Sequence, residues 1–219
     1  WNMKALKLAA VALLLFAAPA FGASVTLTGV GQTFSLGYNG IVDVGGVPTV
    51  MTGLSAQVGF EVTGMHYDAS INRTIVDLSV VVQNTADSSI WQRATVSGIG
   101  FNTDPNVKRA GSGAQGAYNF VALDTSLGGD FMVEVCISGR LNRCGGPATN
   151  ATQIGQTSAT SVQLAFFGRY TGPITLDNFG IRWTDVVSSQ YQLNGRAGMG
   201  FGVTTTPPIP EPASAAAFG

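Results

Sequence analysis

The sequence predicts an all-β protein that folds as an antiparallel β-sandwich with a jelly-roll-like topology. Apolar residues occupy every second position over several stretches, which places them on one face of a strand. Clusters rich in Gly, Asn and Asp separate these stretches and are typical of turns. About eight to ten short strands with one apolar face each need a second sheet to cover that face, which favours a sandwich. A β-barrel without helices is the alternative topology.

The clearest predicted strand covers residues 54–63, where apolar side chains alternate with Ser55, Gln57, Glu61 and Thr63. The same period recurs in four more segments, whose alternating positions are Val76, Leu78, Val80 and Val82; Phe131, Val133, Val135 and Ile137; Val162, Leu164, Phe166 and Gly168; and Phe179, Ile181 and Trp183. Turns are predicted between the strands, at residues 38–40, 44–48, 111–116 and 127–130.

Residues 1–22 have the layout of a secretory signal peptide. Two lysines precede an apolar run over residues 8–18, and Pro19 ends that run. The run is shorter than the about 20 apolar residues that a transmembrane helix needs. We expect cleavage after Gly22 or after Ala20, which means that the protein is exported.

Three regions are expected along the chain. The signal peptide comes first, with Trp1 and Asn2 lying upstream of the initiator Met3. Residues 23–203 then form one sandwich domain, because their length and apolar content suffice for a packed core. Residues 204–219 form a proline-rich spacer and the start of a sorting signal.

The charge pattern excludes two classes of ligand. Only 11% of the residues are charged, and the net charge is -1. Nucleic acids and anionic membrane surfaces are bound by clustered Lys and Arg residues. We therefore exclude both as primary ligands.

No catalytic residues are predicted, and we expect that the protein is not an enzyme. His66 is the one histidine, and no Gly-x-Ser-x-Gly motif supplies a nucleophile beside it. A glycosidase needs two carboxylates facing each other across a cleft. Glu61, Asp77 and Glu134 are available for this role, but we interpret them as residues of solvated strand faces.

No cofactor or metal ligand is predicted, since one His and two Cys residues are too few for a structural zinc site. Calcium is the one metal candidate, because it prefers oxygen ligands and Asp104, Asp124, Asp177 and Asp185 lie in or near predicted turns. None of them has EF-hand spacing.

The two cysteines, Cys136 and Cys144, are eight positions apart across a predicted reversal. This spacing brings the Cα atoms within disulfide range, and an exported protein encounters an oxidising environment. We expect an intrachain disulfide. A redox-active pair and a two-thiolate metal site are the alternatives.

Exposed aromatic side chains would suit a carbohydrate-binding surface, since they stack on apolar ring faces. The candidates are Trp91, Trp183, Tyr170 and Tyr191. Trp183 alternates in phase with Phe179 and Ile181 and is predicted to lie in the core. Trp91 lies in the polar stretch 87–92 and is the candidate carbohydrate-binding residue.

The end of the chain resembles the sorting signal of PEP-CTERM proteins, which are exosortase substrates of Gram-negative bacteria. A polar spacer precedes the motif Pro210, Glu211 and Pro212, after which the sequence turns apolar. Two further segments, 135–146 and 176–183, are similar to the cistern family within that class. The PEP-CTERM pattern continues through a transmembrane helix to an arginine-rich end, and we expect that the sequence is truncated before that helix. A protein that is not anchored at all is the alternative.

The resemblance implies a route and a function. The signal peptide would take the chain to the periplasmic side of the inner membrane, where the tail would anchor it transiently. An exosortase would then process it near the motif, before release to the cell surface or extracellular matrix. The predicted function is a non-catalytic protein of an exopolysaccharide-containing biofilm matrix. A carbohydrate-binding module is the alternative, and a glycosidase is a third interpretation.

Overall fold

The computed structural model describes residues 23–107, 109–110, 114–139, 144 and 151–204. Within these ranges the regular elements are antiparallel strands, and none is a helix. The twelve strands are β1 (Val25–Leu27), β2 (Thr33–Val44), β3 (Val47–Asp68), β4 (Arg73–Asn84), β5 (Arg93–Asp104), β6 (Arg109–Ala110), β7 (Gln115–Gly116), β8 (Phe120–Gly128), β9 (Phe131–Ser138), β10 (Thr157–Phe167), β11 (Ile174–Ser188) and β12 (Leu193–Thr204).

The strands form one continuous sheet in the order β6-β10-β4-β3-β2-β12-β11-β5-β9-β8, while β1 pairs with β11 and β7 pairs with β10. The sheet curls into a half-barrel, so that one half covers the apolar face of the other. Phe60 of β3 lies 6.1 Å from Phe101 of β5 between ring centroids, although β2, β12 and β11 separate these strands in the sheet. The predicted all-β, antiparallel, sandwich-like fold is confirmed, with hydrogen bonds running unbroken from one half to the other.

The core consists largely of the predicted alternating positions. Phe60, Phe101 and Phe179 meet in its middle, with centroids of Phe60 and Phe179 5.7 Å apart and those of Phe101 and Phe179 5.8 Å apart. Trp183 is also buried, as predicted. The alternating residues that the core buries include Leu54, Ala56, Val58, Val62, Val76, Leu78, Val80, Val82, Val135, Ile137, Val162, Leu164, Phe166 and Ile181.

Strand β9 differs from the prediction, because both of its faces are covered. Glu134 was expected on a solvated face, but it is buried together with Cys136 and Ser138. Cys144 packs beside Cys136 in a small second cluster that also contains Leu127. A strand with two covered faces still shows an alternating apolar pattern when polar residues on the second face are held by hydrogen bonds, and this is why the prediction for Glu134 was wrong.

Two predicted turns have different outcomes. The β2–β3 hairpin turns at Gly45 and Gly46, whose φ angles of 64° and 88° suit glycine, and the Asp43 side chain accepts a hydrogen bond of 2.7 Å from the Gly46 N–H. The turn predicted at 38–40 is wrong, since these residues continue β2. Gly40 serves close packing there, because a Cβ atom at that position would collide with Leu54.

The hairpin also explains why β3 is longer than predicted, at 22 residues. Near its tip Val44, Val47 and Val50 are all exposed, and the strands project beyond the core. Both faces of the ladder are solvated there, so the residues show no alternation of apolar and polar types from which a strand could be predicted.

Candidate functional site

Trp91 lies in the core, and the prediction that it is exposed was wrong. It is 1% exposed, and its indole stacks on Tyr191 with ring centroids 5.2 Å apart. Its Nε1–H donates a hydrogen bond of 3.1 Å to the Thr52 carbonyl. The neighbouring polar residues form a surface turn, with Asp87 accepting bonds from Ser89, while the indole points inward. Trp91 therefore offers no stacking surface for a sugar.

The predicted disulfide between Cys136 and Cys144 is confirmed. The two sulfur atoms are bonded, and the Cα atoms are 6.0 Å apart, within the usual range for a disulfide. Both residues are buried and pack against Leu127. A bonded, buried pair holds no metal and acts as a structural cross-link between β9 and the segment that follows it.

The remaining predicted residues lie outside the described ranges or on the surface. The sorting motif Pro210, Glu211 and Pro212 and the predicted signal peptide lie outside the described residues. His66 lies exposed near the end of β3, as a surface residue. Across the described part of the chain, no helix is long and apolar enough to cross a membrane.

A cleft of about 430 Å³ extends across four neighbouring strands, β11, β5, β9 and β8, and we call it the polar cleft. Its volume lies within the range of small-molecule sites, about 300–1,000 Å³. Its walls combine carboxylate, amide and hydroxyl groups with two apolar side chains, and consist of Asn102, Thr103, Asn106, Asp124, Met132, Val133, Glu134 and Asp177.

The polar cleft opens where β5 and β9 separate. Their backbone pairing ends at Phe101 and Val135. Beyond that pair, side chains replace the backbone hydrogen bonds. Asn102 Oδ1 accepts a hydrogen bond of 2.9 Å from the Glu134 N–H. Glu134 Oε2 in turn accepts hydrogen bonds of 2.9 Å from the Thr103 N–H and 2.8 Å from the Thr103 hydroxyl. The floor of the cleft is thus fixed by hydrogen bonds between the separating strands.

The Thr103 hydroxyl extends this network into the loop after β5. Its single proton is shared between Glu134 Oε2 and the Pro105 carbonyl, 2.8 Å and 2.9 Å away, and its oxygen accepts a hydrogen bond of 3.1 Å from the Val107 N–H. A side chain with all its hydrogen-bonding groups in use holds its neighbours in one geometry. The loop that carries Asn106 is therefore held beside the cleft by Glu134 and Thr103 together.

Among the described residues that line the polar cleft, the charged ones are acidic: Asp124, Glu134 and Asp177. Glu134 is 8% exposed, and its Oε1 atom is buried without a hydrogen-bond partner. A buried carboxylate oxygen without a partner is costly, since burial removes its hydration. Because Oε1 has almost no accessible surface, the carboxylates that the cleft presents to solvent are those of the exposed Asp124 and the half-buried Asp177.

The four aspartates considered for calcium have separate locations. Asp124 and Asp177 both line the polar cleft, while Asp185 forms an ion pair of 3.2 Å with Arg93 elsewhere on β11 and β5. All four lie within strands and not in turns, with Asp104 as the last residue of β5, and Asp124 and Asp185 adopt positive φ angles of 47° and 54°. Among the side chains that the structure describes, no three His, Cys, Asp or Glu residues are grouped closely enough to hold a metal ion.

The carboxylates considered for glycosidase chemistry are also dispersed. Glu134 lines the polar cleft, Glu61 is exposed on β3, and Asp77 accepts a hydrogen bond of 2.9 Å from Gln163 on β10. Sequence reasoning missed Asn102, Thr103 and Asn106 as site residues. The sequence contains no motif that identifies them, because the site depends on which strands become neighbours.

Comparison with protein-family models, with curated proteins and with solved structures finds no match.

Proposed function

We propose that this protein is an exported, non-catalytic component of the cell surface or extracellular matrix that associates with exopolysaccharide. The observation that carries the proposal is the buried disulfide between Cys136 and Cys144. Structural disulfides form and persist in oxidising compartments outside the cytosol. The predicted signal peptide and the resemblance of the tail to PEP-CTERM sorting signals support the same destination.

In this proposal an exosortase is the partner during sorting. It acts at Pro210, Glu211 and Pro212 on the periplasmic side of the inner membrane, where the chain is anchored transiently if the full-length tail carries a transmembrane helix. The protein is then released to the cell surface or into the biofilm matrix of a Gram-negative bacterium.

The test is fractionation of the native host, with the protein detected by antibody in cytosol, membranes and isolated matrix. We expect the mature protein in the matrix, and accumulation in the membrane fraction when the sorting motif is replaced by P210A, E211A and P212A together. Residence of the wild-type protein in the cytosol, or an unchanged distribution in the motif variant, would contradict the proposed route. The variant E61Q is a control, because it changes an exposed residue outside the motif.

A carbohydrate-binding module is the second candidate, and the polar cleft favours it. The cleft is of small-molecule size and lined by hydrogen-bonding side chains. This candidate is compatible with the first, because a matrix protein with a sugar site would be retained by the polysaccharide itself.

A further inference from the structure

Two arginines lie over aromatic rings at the end of the sheet where β3 turns into β4. The Arg73 guanidinium is 5.0 Å from the centroid of the Phe167 ring, and the Arg169 guanidinium is 5.2 Å from that of the Tyr67 ring. Arg73 begins β4, and it pairs with Phe167 at the end of β10. We call these four residues the basic tip. It belongs to the half of the sheet that does not contain the polar cleft.

Strand pairing brings a third arginine to the same part of the fold. Arg109 of β6 pairs with Ala165 of β10, two residues before Phe167. Positions 73, 109 and 169 are far apart in the sequence, and the net charge of the chain is -1. The sequence therefore gives no sign of this grouping of basic residues, which depends on the neighbours that β10 has in the sheet.

The guanidinium groups of the basic tip are not neutralised by a carboxylate. Among the described residues, neither group lies within ion-pair distance of an Asp or Glu side chain. Asp68 pairs with Arg73 across β3 and β4, but its carboxylate accepts hydrogen bonds of 2.9 Å and 2.6 Å from Ser70. Glu211 is the one acidic residue of the sequence outside the described ranges. The guanidinium donors are therefore available to an anionic ligand.

The loop after β10 is fixed to the β3–β4 turn by hydrogen bonds. The Gly168 N–H donates one of 3.0 Å to the Asn72 carbonyl. The Thr74 hydroxyl donates one of 2.9 Å to the Gly168 carbonyl and accepts one of 2.8 Å from the Tyr170 N–H. The Tyr67 hydroxyl donates one of 2.9 Å to the Asn72 side chain. A site that is ordered before binding loses less entropy when a ligand arrives.

The chemical groups of the basic tip match those of an acidic sugar. The Phe167 side chain is 65% exposed, and an aromatic face packs well on the apolar C–H groups of a sugar ring. A guanidinium forms two parallel hydrogen bonds with a carboxylate, which gives both strength and geometric selectivity. A uronic acid unit carries both partners, an apolar ring face and a carboxylate.

We propose that the basic tip binds an acidic polysaccharide, with Arg73 and Arg169 donating hydrogen bonds to uronate carboxylates and Phe167 stacking on a sugar ring. The proposal deepens the exopolysaccharide association and rests on it for the source of the ligand. Tyr67 and Phe167 belong to adjacent rungs of the sheet, so their side chains point to opposite faces. Successive units of one polymer would therefore contact the two arginine–aromatic pairs.

The experiment is calorimetric titration of the full chain, purified after export so that the disulfide is formed, with polygalacturonate and with dextran. We expect saturable binding to polygalacturonate that weakens as salt is added, and none to the neutral dextran. Arg73→Gln combined with Arg169→Gln should weaken binding about tenfold or more, since hydrogen bonds between charged groups are lost. Phe167→Leu keeps an apolar side chain but removes the aromatic face, and should also weaken binding.

The matched control combines Arg93→Gln with Arg196→Gln. Both arginines are exposed and lie on β5 and β12, outside the basic tip, and the pair of substitutions changes the net charge by the same amount. We expect the control to bind polygalacturonate as the wild type does.

Four results would overturn the proposal. They are no binding to polygalacturonate, binding that the double variant of the tip retains, an equal loss of binding in the control, and equal binding to dextran. Vesicles of phosphatidylglycerol and phosphatidylcholine are a further probe. Binding to these vesicles without binding to polygalacturonate would assign the basic tip to a membrane surface instead.

The titration and the host fractionation fail independently. A protein that is found in the matrix but does not bind polygalacturonate disproves only the proposal for the basic tip. A protein that binds polygalacturonate through the tip but stays in the cytosol disproves only the proposed export.

Discussion

Two buried tyrosines differ in one property, whether the hydroxyl group has a hydrogen-bond partner. The Tyr118 hydroxyl donates a hydrogen bond of 3.0 Å to the Val96 carbonyl and lies 2.7 Å from the Thr152 hydroxyl. The Tyr38 hydroxyl is buried without a partner. Burial raises the pKa of both side chains well above the usual value of 10.0, since the phenolate would lose its hydration.

The substitution Tyr38→Phe should therefore leave the free energy of unfolding unchanged or raise it, because it removes an unsatisfied buried group. Tyr118→Phe is its matched partner and should lower the free energy of unfolding by about 1 kcal/mol or more, because it deletes satisfied hydrogen bonds. Urea unfolding of both variants measures the difference. Equal losses in the two would show that Tyr38 has a partner after all.

The raised tyrosine pKa values also predict sensitivity to alkali. Below about pH 10, the pKa of a tyrosine in the unfolded chain, both side chains keep their protons in the folded and the unfolded state. As pH rises above that value, the unfolded chain releases protons that the folded chain retains, and the free energy of unfolding falls. Each tyrosine should lower the free energy of unfolding by about 1.4 kcal/mol per pH unit there. Unfolding measured between about pH 9 and 11.5 should show a shallower decline in Tyr38→Phe than in the wild type. An identical slope would contradict the assignment.

At the scale of single elements, several strand glycines are present because neighbouring elements approach too closely for a side chain. On β12, a Cβ atom at Gly200 would lie 2.6 Å from the Asn39 carbonyl oxygen and 2.8 Å from the Trp183 ring. On β5, a Cβ atom at Gly98 would meet the Ile137 carbonyl oxygen at 3.4 Å, an ordinary contact. The two positions are otherwise alike, since both are buried in strands of the same sheet.

We expect Gly200→Ala to reduce the free energy of unfolding by about 1–3 kcal/mol, because backbone or ring atoms must move. Gly98→Ala should change it much less. Thermal or urea unfolding of the two variants gives the comparison, and a similar effect from both would mean that β12 and β2 are not packed as closely as described.

The disulfide at β9 should contribute to the free energy of unfolding. Replacing both Cys136 and Cys144 by Ala should lower the free energy of unfolding by about 2–3 kcal/mol, the loop-closure entropy of a short cross-linked segment. A reductant should destabilise the wild type similarly and leave the double variant unaffected. Two free thiols in the mass of the non-reduced exported protein would contradict the cross-link.

Sequence reasoning predicted the strands better than the site. Alternation in β3, β4 and β10 depends on one buried face, and those strands were placed correctly. Gly40 and Glu134 were misjudged for a shared reason: each is determined by a neighbour on another strand, Leu54 or Thr103. The predicted exposure of Trp91 was wrong for a similar reason, because the polar residues of a turn do not show in which direction a large side chain points.

At the scale of the whole molecule, the fold class was predictable and the strand order was not. Alternation shows which side chains face the core, but it does not show that β12 pairs with β2 or β10 with β4. The polar cleft depends on that order, since β11, β5, β9 and β8 must be neighbours for Asp177, Glu134 and Asp124 to share it. Acidic candidates could be named from the sequence, but their grouping required the structure.

The disulfide and the polar cleft share one strand, because Cys136 and Glu134 both belong to β9.

The most direct test of an exported, disulfide-bonded matrix protein is fractionation of the native host, with free thiols alkylated before lysis. We expect the mature protein in the matrix fraction, with neither Cys136 nor Cys144 alkylated. A cytosolic protein with both cysteines alkylated would contradict the proposed location and the cross-link together.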